Sequence, residues 1–141
     1  MIRAASHLVV ATDDVPRLAG FFADLFSVVA HFANDQFTEF VLPSKFRIAF
    51  FKPVGAAAKF FVATKERGGC AFGVTVDDVD ETYARATAGV EKWGLTLSGP
   101  PKTHPWGEKS FLLVDCDGNR WELAQTPSAD GMLIPKDFGK H

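Results

Sequence analysis

The sequence lacks the marks of a membrane protein, a nucleic-acid-binding protein and a disulfide scaffold. No stretch approaches the ~18 consecutive apolar residues that a membrane span needs. Fifteen basic and seventeen acidic residues leave a formal charge of −2, and no basic run is interleaved with aromatic residues, as nucleic-acid binding would favour. We therefore expect a cytoplasmic protein with no membrane or nucleic-acid partner.

Cysteine and tyrosine are also scarce. Cys70 and Cys116 are the only cysteines, and their wide spacing resembles neither a disulfide framework nor a zinc motif, so we expect two inert, buried thiols. A single Tyr stands against 14 Phe. Because Phe buries area without needing a hydrogen-bond partner, this excess suits either a core or an apolar pocket.

The stretch from Trp106 to Gln125 carries the clearest local pattern. Its apolar runs 110–114 and 120–124 are separated by Asp115-Cys116-Asp117-Gly118-Asn119, whose residue types favour tight turns, so a β-hairpin is predicted. Glu122 lies inside the second run between two apolar residues. Strand alternation sends it to the face opposite its neighbours Trp121 and Leu123, which we expect in the core. The Glu122 face then either meets solvent or lines a concave surface.

An internal repeat organises the rest of the 141-residue chain. The segment from His7 to Thr12, followed by Asp13-Asp14-Val15, matches the segment from Ala71 to Val76, followed by Asp77-Asp78-Val79. Each strand-like run leads into an amphipathic helix with an N-capping Asp, Asp14 or Asp78. The first helix is predicted over 16–26, and the second places Val79, Tyr83, Ala86 and Val90 on one face.

Three β-like runs follow each helix. They are Ser27 to Phe32, Phe37 to Leu42 and Phe46 to Phe51 in the first half, and Leu95 to Gly99, Ser110 to Val114 and Arg120 to Ala124 in the second. Each half is thus predicted to be β-α-β-β-β. The fold class is α+β, with two modules whose curved mixed sheets form a cup, because one helix per sheet leaves the other face to be covered.

The predicted boundaries make one domain of residues 1–141. Module one spans about 5–52, the connector 53–68, module two about 69–126 and the tail 127–141, with Gly68-Gly69 at the seam. The connector is either a lid or oligomer contact or a passive crossover. The tail is expected to be peripheral, with Met132-Leu133-Ile134 docking on a neighbour.

The repeat, the helix entries and the closing phrase Asp115-Cys116-Asp117-Gly118-Asn119-Arg120-Trp121-Glu122 together resemble the vicinal oxygen chelate superfamily. This group includes glyoxalase I, bleomycin-resistance proteins and extradiol dioxygenases, and the resemblance covers about residues 5 to 126. Trp106-Gly107 before the final hairpin looks most like the small bacterial glyoxalase-like members. The resemblance implies a homodimer and a small-molecule ligand.

The resemblance also implies four positions where metal-dependent members place their ligands. These positions hold His7, Ala49, Ala71 and Glu122 in this chain. Two protein donors do not satisfy a divalent site that needs three or more, so no metal and no other cofactor is expected; a metal, if bound, would use His7 and Glu122. Cys70, His31, His104 and His141 are the further donors considered.

The same residues support other roles. Without a metal, His7 and Glu122 are candidate catalytic residues that act as an acid–base pair, or they satisfy each other without catalysis. Trp106 either stacks on a planar ligand or packs under its Pro- and Gly-rich loop. Arg120 and Arg47 are candidates to hold an anionic group.

Two functions follow as hypotheses. In the first, the protein binds a small apolar or aromatic molecule in the cup without a complete metal site, using His7, Ala49, Ala71, Trp106, Arg120 and Glu122. In the second, it is a metal-dependent lyase, isomerase or dioxygenase of the glyoxalase type that uses His7 and Glu122. Whether the protein is an enzyme is therefore left open by the sequence.

Overall fold

The computed structural model describes residues 1–61 and 67–127. The chain divides into two compact units, Met1–Lys65 and Glu66–His141, which are called module one and module two below. The docking predicted for Met132-Leu133-Ile134, and all of the predicted tail after residue 127, lie outside the described residues, as do 62–66 of the connector and His141. No helix in the described ranges is long and apolar enough to cross a membrane.

Module one follows the predicted order of elements. It consists of β1 (His7–Ala11), α1 (Val15–Phe26), β2 (Phe32–Ala33), β3 (Phe37–Val41), β4 (Arg47–Phe51) and the short α2 (Ala57–Phe60). Its four strands form one mixed sheet in the order β1-β4-β3-β2. β1 runs parallel to β4, and the other pairs are antiparallel.

Helix α1 begins and packs as its sequence predicts. The Asp14 carboxylate accepts a hydrogen bond from the backbone N–H of Arg17 at 3.2 Å, and Pro16 lies in the first turn, where no N–H is needed. The ring of Phe22 lies 4.8 Å from that of Phe40 and 5.7 Å from that of Phe50, measured between centroids. The helix therefore covers the sheet face that carries Phe40 and Phe50.

The strand predicted from Ser27 to Phe32 is wrong over most of its length, because only Phe32–Ala33 forms β2. Ser27 ends α1 in the left-handed region with φ of 50°. The backbone N–H groups of Ser27 and Val28 both bond to the Ala23 carbonyl. Helix termination therefore uses backbone groups that a strand would have needed.

Module two repeats the plan with an additional strand and a broken helix. It consists of β5 (Phe72–Thr75), α3 (Val79–Ala88), α4 (Val90–Trp93), β6 (Thr96–Leu97), β7 (Lys102–Thr103), β8 (Lys109–Val114) and β9 (Arg120–Gln125). The sheet order is β5-β9-β8-β6, and β7 also pairs with β8. β5 is parallel to β9, as β1 is to β4.

Two details of module two differ from the prediction. The second helix stops at Gly89, so Val90 begins α4 instead of continuing α3. The strand predicted from Leu95 to Gly99 forms only over Thr96–Leu97 as β6, and β7 (Lys102–Thr103) is an additional strand that was not predicted. Pro100 and Pro101 lie between these two strands and have no N–H to donate to a ladder, which accounts for the interruption.

The predicted hairpin is confirmed, and Asp115 organises it. The Asp115 carboxylate is buried and accepts hydrogen bonds from the backbone N–H groups of Asp117 and Asn119, each at 3.0 Å. It also accepts the indole N–H of Trp121 at 2.9 Å. Trp121 and Leu123 are 1% and 0% exposed, so their predicted core positions are confirmed.

The predicted burial of the cysteines is wrong. Both thiols are free, but Cys70 is exposed and Cys116 only partly buried. Cys70 lies in the segment before β5, and Cys116 lies in the hairpin turn. Neither position belongs to a regular element whose inner face would bury it.

The strand register confirms the repeat. Val9 pairs with Ala49 in module one, and Gly73 pairs with Glu122 in module two, as the predicted alignment of Ala49 with Glu122 requires. The α+β class with two β-α-β-β-β modules is therefore confirmed. Each sheet has one face packed on its own helix, and the opposite face is called the helix-distal face below. By strand alternation it carries His7, Val9, Glu39, Arg47 and Ala49 in module one, and Gly73, Ser110, Leu112, Arg120 and Glu122 in module two.

Candidate functional site: the pocket of module two

A pocket of about 390 Å³ lies in module two. This volume is within the usual range for small-molecule sites, about 300–1,000 Å³. Apolar and polar side chains line it in similar numbers. The lining residues are Ser98, Pro100, Lys102, His104, Trp106, Ser110, Phe111, Leu112 and Glu122.

A tight turn places the aromatic part of the pocket. The segment His104-Pro105-Trp106-Gly107 is closed by a hydrogen bond from the Gly107 N–H to the His104 carbonyl at 2.9 Å. Pro105 suits the second position of such a turn, and Gly107 adopts φ of 96°. The turn brings the His104 and Trp106 rings into a parallel stack, with centroids 4.6 Å apart and planes 4° from parallel.

Two polar contacts lie within or behind this pocket. The Nε2 atom of His104 lies 2.9 Å from the Oγ atom of Ser110, within hydrogen-bond distance. The carboxyl groups of Glu122 and Glu108 are also hydrogen-bonded to each other. Glu108 is buried, at 8% exposure.

The environment of Glu122 disfavours the charged form of its carboxyl group. Partial burial, followed by the charge of Glu108 and the hydrogen bond to it, raises the pKa of Glu122 above its ordinary value of 4.5; the opposite charge of His104 lowers it by less. The side chain therefore retains its proton to a higher pH than a solvated glutamate does.

The structure brings two of the predicted ligand-binding residues of module two into one pocket. Glu122 and Trp106 both line it. Arg120 begins β9 and is exposed, and Ala71 lies exposed immediately before β5. Neither lines the pocket, although Arg120 shares the helix-distal face with Glu122.

The candidates of module one lie in a separate polar cluster. The Nδ1 atom of His7 is 2.7 Å from Ser6 Oγ and 3.4 Å from Arg47 Nη2. Arg47 Nη1 is 3.7 Å from the Glu39 carboxylate, which also contacts His31 Nε2 at 3.0 Å. Ala49 is buried, at 1% exposure, and pairs with Glu39 across the sheet. The pairing predicted between His7 and Glu122 stays a prediction.

The chemistry of the donor set does not fit a three-ligand divalent site. Of the four positions implied by the family resemblance, Ala49 and Ala71 carry no donor atom. Cys70, which adjoins Ala71, is exposed. Within residues 1–61 and 67–127, no three His, Cys, Asp or Glu side chains come together in an arrangement that holds a metal ion.

Sequence reasoning missed most of the residues that form this site. Glu108 follows Trp106-Gly107 directly and was not considered, and Lys102 and Ser110 were not considered either. The alternation of Ser110 with Leu112 on β8 was a usable signal, since Leu112 pairs with Glu122 and the two share a face. No sequence signal pointed to the contact of Glu108 with Glu122, because Glu108 lies in a loop whose path only the fold defines.

Comparison with known proteins supports the architecture. A family model described as the Glyoxalase/Bleomycin resistance protein/Dioxygenase superfamily matches residues 4–123. No curated protein matches the chain. The match covers residues of both modules and extends through β8 into β9.

Solved structures show the same fold. A glyoxalase-related enzyme from Fulvimarina pelagi has a TM-score of 0.74 at 23% identity, with 94% of this chain and 98% of that chain covered. The fosfomycin resistance protein FosX from Mesorhizobium loti has a TM-score of 0.62 at 23% identity, covering 92% and 97%. FosX from Listeria monocytogenes, solved with Mn(II) and sulfate, has a TM-score of 0.68 at 17% identity, covering 89% and 92%.

Proposed function

Because the chain belongs to the Glyoxalase/Bleomycin resistance protein/Dioxygenase superfamily, we propose that it binds a small planar or apolar molecule in the pocket of module two. The binding proposed here needs no resident metal ion. One observation carries the proposal: a pocket of ligand size has an aromatic stack on one wall and a hydrogen-bonded carboxyl group among its lining residues.

The apolar lining supplies the affinity. Trp106, Pro100 and Leu112 present ring and aliphatic surface, and Leu112 is 50% exposed although it is an aliphatic residue. Covering such surface stabilises a complex by roughly 25 cal/mol per Å² of apolar area. An aromatic ligand gains more, because stacked or edge-on ring contacts add about 0.5–1.5 kcal/mol each.

The polar lining supplies the orientation. Glu122, Ser110 and His104 lie among the apolar residues and offer hydrogen-bond donors and acceptors to one end of a ligand. A few such groups in an apolar pocket are what fixes a ligand in one pose. We therefore propose an aromatic or apolar body with one polar substituent as the ligand class.

The proposal of a metal-free site rests on the donor set. Ala49 and Ala71 stand at two of the four positions where the family resemblance implies ligands. Elemental analysis of protein dialysed against nickel, zinc, manganese or iron is the test. We expect less than stoichiometric metal, and stoichiometric metal that disappears in Glu122→Ala would contradict the proposal.

Ligand binding is tested with two matched probes. Benzamide is planar and aromatic, and cyclohexanecarboxamide carries the same polar group on a saturated ring. In nitrogen-15 NMR titrations we expect benzamide to shift the indole resonance of Trp106 and the backbone resonance of Leu112. The saturated probe should bind more weakly by roughly 1 kcal/mol, the size of one aromatic contact.

A pair of tryptophan substitutions provides the control. Trp106→Leu should weaken benzamide binding by about tenfold, which corresponds to 1.4 kcal/mol. Trp93→Leu should have no effect, because Trp93 lies on α4 beside Lys92 and not in the pocket. Equal losses in both variants, or benzamide shifts confined to residues outside the pocket, would refute binding at this site.

A further inference from the structure

The contact between Ser110 and His104 combines the parts of a hydrolytic site. A serine hydroxyl is a weak nucleophile until an adjacent base accepts its proton, and the usual distance between the two groups is about 2.6–3.2 Å. The Oγ atom of Ser110 lies 2.9 Å from Nε2 of His104. Both side chains line the pocket, so the pair faces a space where a substrate fits.

The surroundings of the pair supply charges of both signs. Lys102 on β7 pairs directly with Ser110 on β8 and also lines the pocket. Side chains directly opposite in an antiparallel pair have Cβ atoms about 4.5–5.5 Å apart, so the Lys102 and Ser110 side chains start next to each other. Glu122, whose charge interacts with that of His104, lines the same pocket.

We propose that Ser110 and His104 form a nucleophile–base pair, and that the pocket of module two hydrolyses small esters with an aromatic or apolar leaving group. This inference rests on the proposed function, since it places the substrate in the same pocket. It adds a reaction to that binding and assigns Ser110, His104 and Lys102 their roles.

The reaction begins when Ser110 Oγ attacks the ester carbonyl carbon. A new C–O bond forms, the carbonyl π electrons move to the oxygen, and the hydroxyl proton passes to His104 Nε2. The Lys102 ammonium stabilises the oxyanion. When the carbonyl re-forms, the bond to the leaving alkoxide breaks and His104 returns its proton to that alkoxide, which departs as an alcohol.

Water completes the cycle. His104 Nε2 accepts a proton from water, whose oxygen attacks the acyl carbon of the Ser110 ester. Collapse of that intermediate releases a carboxylic acid and returns the proton to Ser110. The net reaction converts one ester and one water molecule into one acid and one alcohol, so no redox partner or other co-reactant is required.

A second serine–histidine contact in the chain provides an internal control. The Oγ atom of Ser6 lies 2.7 Å from Nδ1 of His7, but both residues are exposed at the start of β1. Neither lines the module-two pocket. If a short serine–histidine distance alone produced reactivity, Ser6 would react as Ser110 does; if the pocket is required, only Ser110 will react.

The test is covalent labelling with diisopropyl fluorophosphate, combined with hydrolysis of 4-nitrophenyl acetate. We expect one phosphoryl adduct per chain, located at Ser110 by peptide mass spectrometry, and none in Ser110→Ala. His104→Gln keeps a hydrogen-bonding side chain but removes the base, so labelling and hydrolysis should fall by about a hundredfold or more. Ser6→Ala should behave as the unsubstituted protein does, and melting temperatures verify that each variant folds.

The outcomes separate this inference from the proposed function. Benzamide binding without labelling of Ser110 overturns the inference and leaves the binding function standing. Labelling that is equal in His104→Gln, or that occurs at Ser6, also overturns it. Absence of both labelling and benzamide binding overturns the two together, whereas adduct formation at Ser110 that depends on His104 supports the inference whether or not benzamide binds.

Discussion

The helix-distal face of each module carries a carboxylate, but the charged groups around that carboxylate differ between the two modules. In module one the carboxylate on that face is Glu39 on β3, and it contacts two basic side chains, His31 and Arg47. In module two it is Glu122 on β9, which is hydrogen-bonded to a second carboxyl group, Glu108. The two modules thus share a strand register but differ in the charges on this face.

The position of the two carboxylates explains the difference. Glu39 pairs across the sheet with Ala49, whereas Glu122 pairs with Leu112. The acidic residue of the pair therefore lies on β3 in module one, whereas in module two it lies on β9, the strand that corresponds to β4. In module two the carboxyl group lies near the loop from His104 to Glu108, which brings two aromatic rings and a second acid. This loop contributes His104 and Trp106 to the pocket, and the strands of the sheet contribute most of the other lining residues.

The largest contrast concerns the final hairpin of each module. In module two, the buried Asp115 carboxylate accepts bonds from Asn119 and from the indole of Trp121. In module one, the exposed Ser44 hydroxyl accepts a single N–H, from Phe46, at 3.4 Å. Asp115→Ala should lower the free energy of unfolding by about 3 kcal/mol, since buried donors lose their partner. Ser44→Ala should change it by less than about 0.5 kcal/mol, and urea denaturation measures both.

A smaller contrast concerns the backbone of the same two turns. Gly118 adopts φ of 85° and Lys45 adopts φ of 74°. Because a Cβ atom is unfavourable there, Gly118→Ala should cost about 1–2 kcal/mol. Lys45→Gly should be neutral or stabilise by less than about 1 kcal/mol, since relieved strain is offset by chain entropy. Thermal unfolding measures both variants. Melting temperatures that shift by equal and opposite amounts would mean that the chain entropy of glycine does not offset the relieved strain in Lys45→Gly.

The helix caps allow a third comparison. The Asp78 carboxylate accepts the N–H groups of Asp80 and Glu81, each at 3.1 Å, whereas Asp14 accepts only that of Arg17. Asp78→Ala and Asp14→Ala should each destabilise the protein by about 1 kcal/mol, with the larger loss at Asp78. Denaturant midpoints decide the order, and a larger loss at Asp14 would mean that the number of capping bonds does not control the effect.

The smallest expected effect is a pH dependence that distinguishes the two carboxylates. Since the pKa of Glu122 is raised in the folded protein, the folded state binds more protons than the unfolded state as the pH rises above about 4.5. The free energy of unfolding therefore falls across the window between the ordinary pKa and the raised one. Glu122→Gln should remove this decline.

Glu108→Gln tests the cause of that decline, because it keeps a hydrogen-bonding group and removes the neighbouring charge. The decline should become smaller in this variant and remain unchanged in Glu91→Gln, which alters an exposed glutamate on α4. Stability measured from pH 4 to 8 is the readout. A decline that persists unchanged in Glu122→Gln would assign it to another group.

Much of the fold could be predicted from the sequence. The helix α1, the strands β3, β4, β8 and β9, the hairpin turn and the register of the repeat were all predicted within one or two residues. These are the elements in which apolar periodicity, capping residues and turn residues agree. The strand predicted from Ser27 to Phe32 is mostly absent. The apolar, β-branched residues Val28 and Val29 favour a strand, but the segment that contains them begins with the backbone bonds that end α1.

The candidate site was less predictable. Sequence reasoning found Glu122 and Trp106, and it named His104 as a further metal donor and placed it beside Trp106 in the loop where a pocket rim was expected. Glu108, Ser110 and Lys102 acquired roles through contacts between β7, the loop after it, β8 and β9. Such contacts depend on loop path and strand pairing, and neither has a period that can be read along the chain.

The sequence by itself determined the duplicated β-α-β-β-β plan, because hydrophobic spacing, turn residues and caps act over a few neighbouring positions. It also determined which face of β9 carries Glu122, because side chains alternate along any strand. Tertiary structure alone decided that Glu122 meets a second carboxyl group and that Ser110 meets an imidazole. Those encounters join residues from different strands and loops, and their distances are fixed only when the whole module packs.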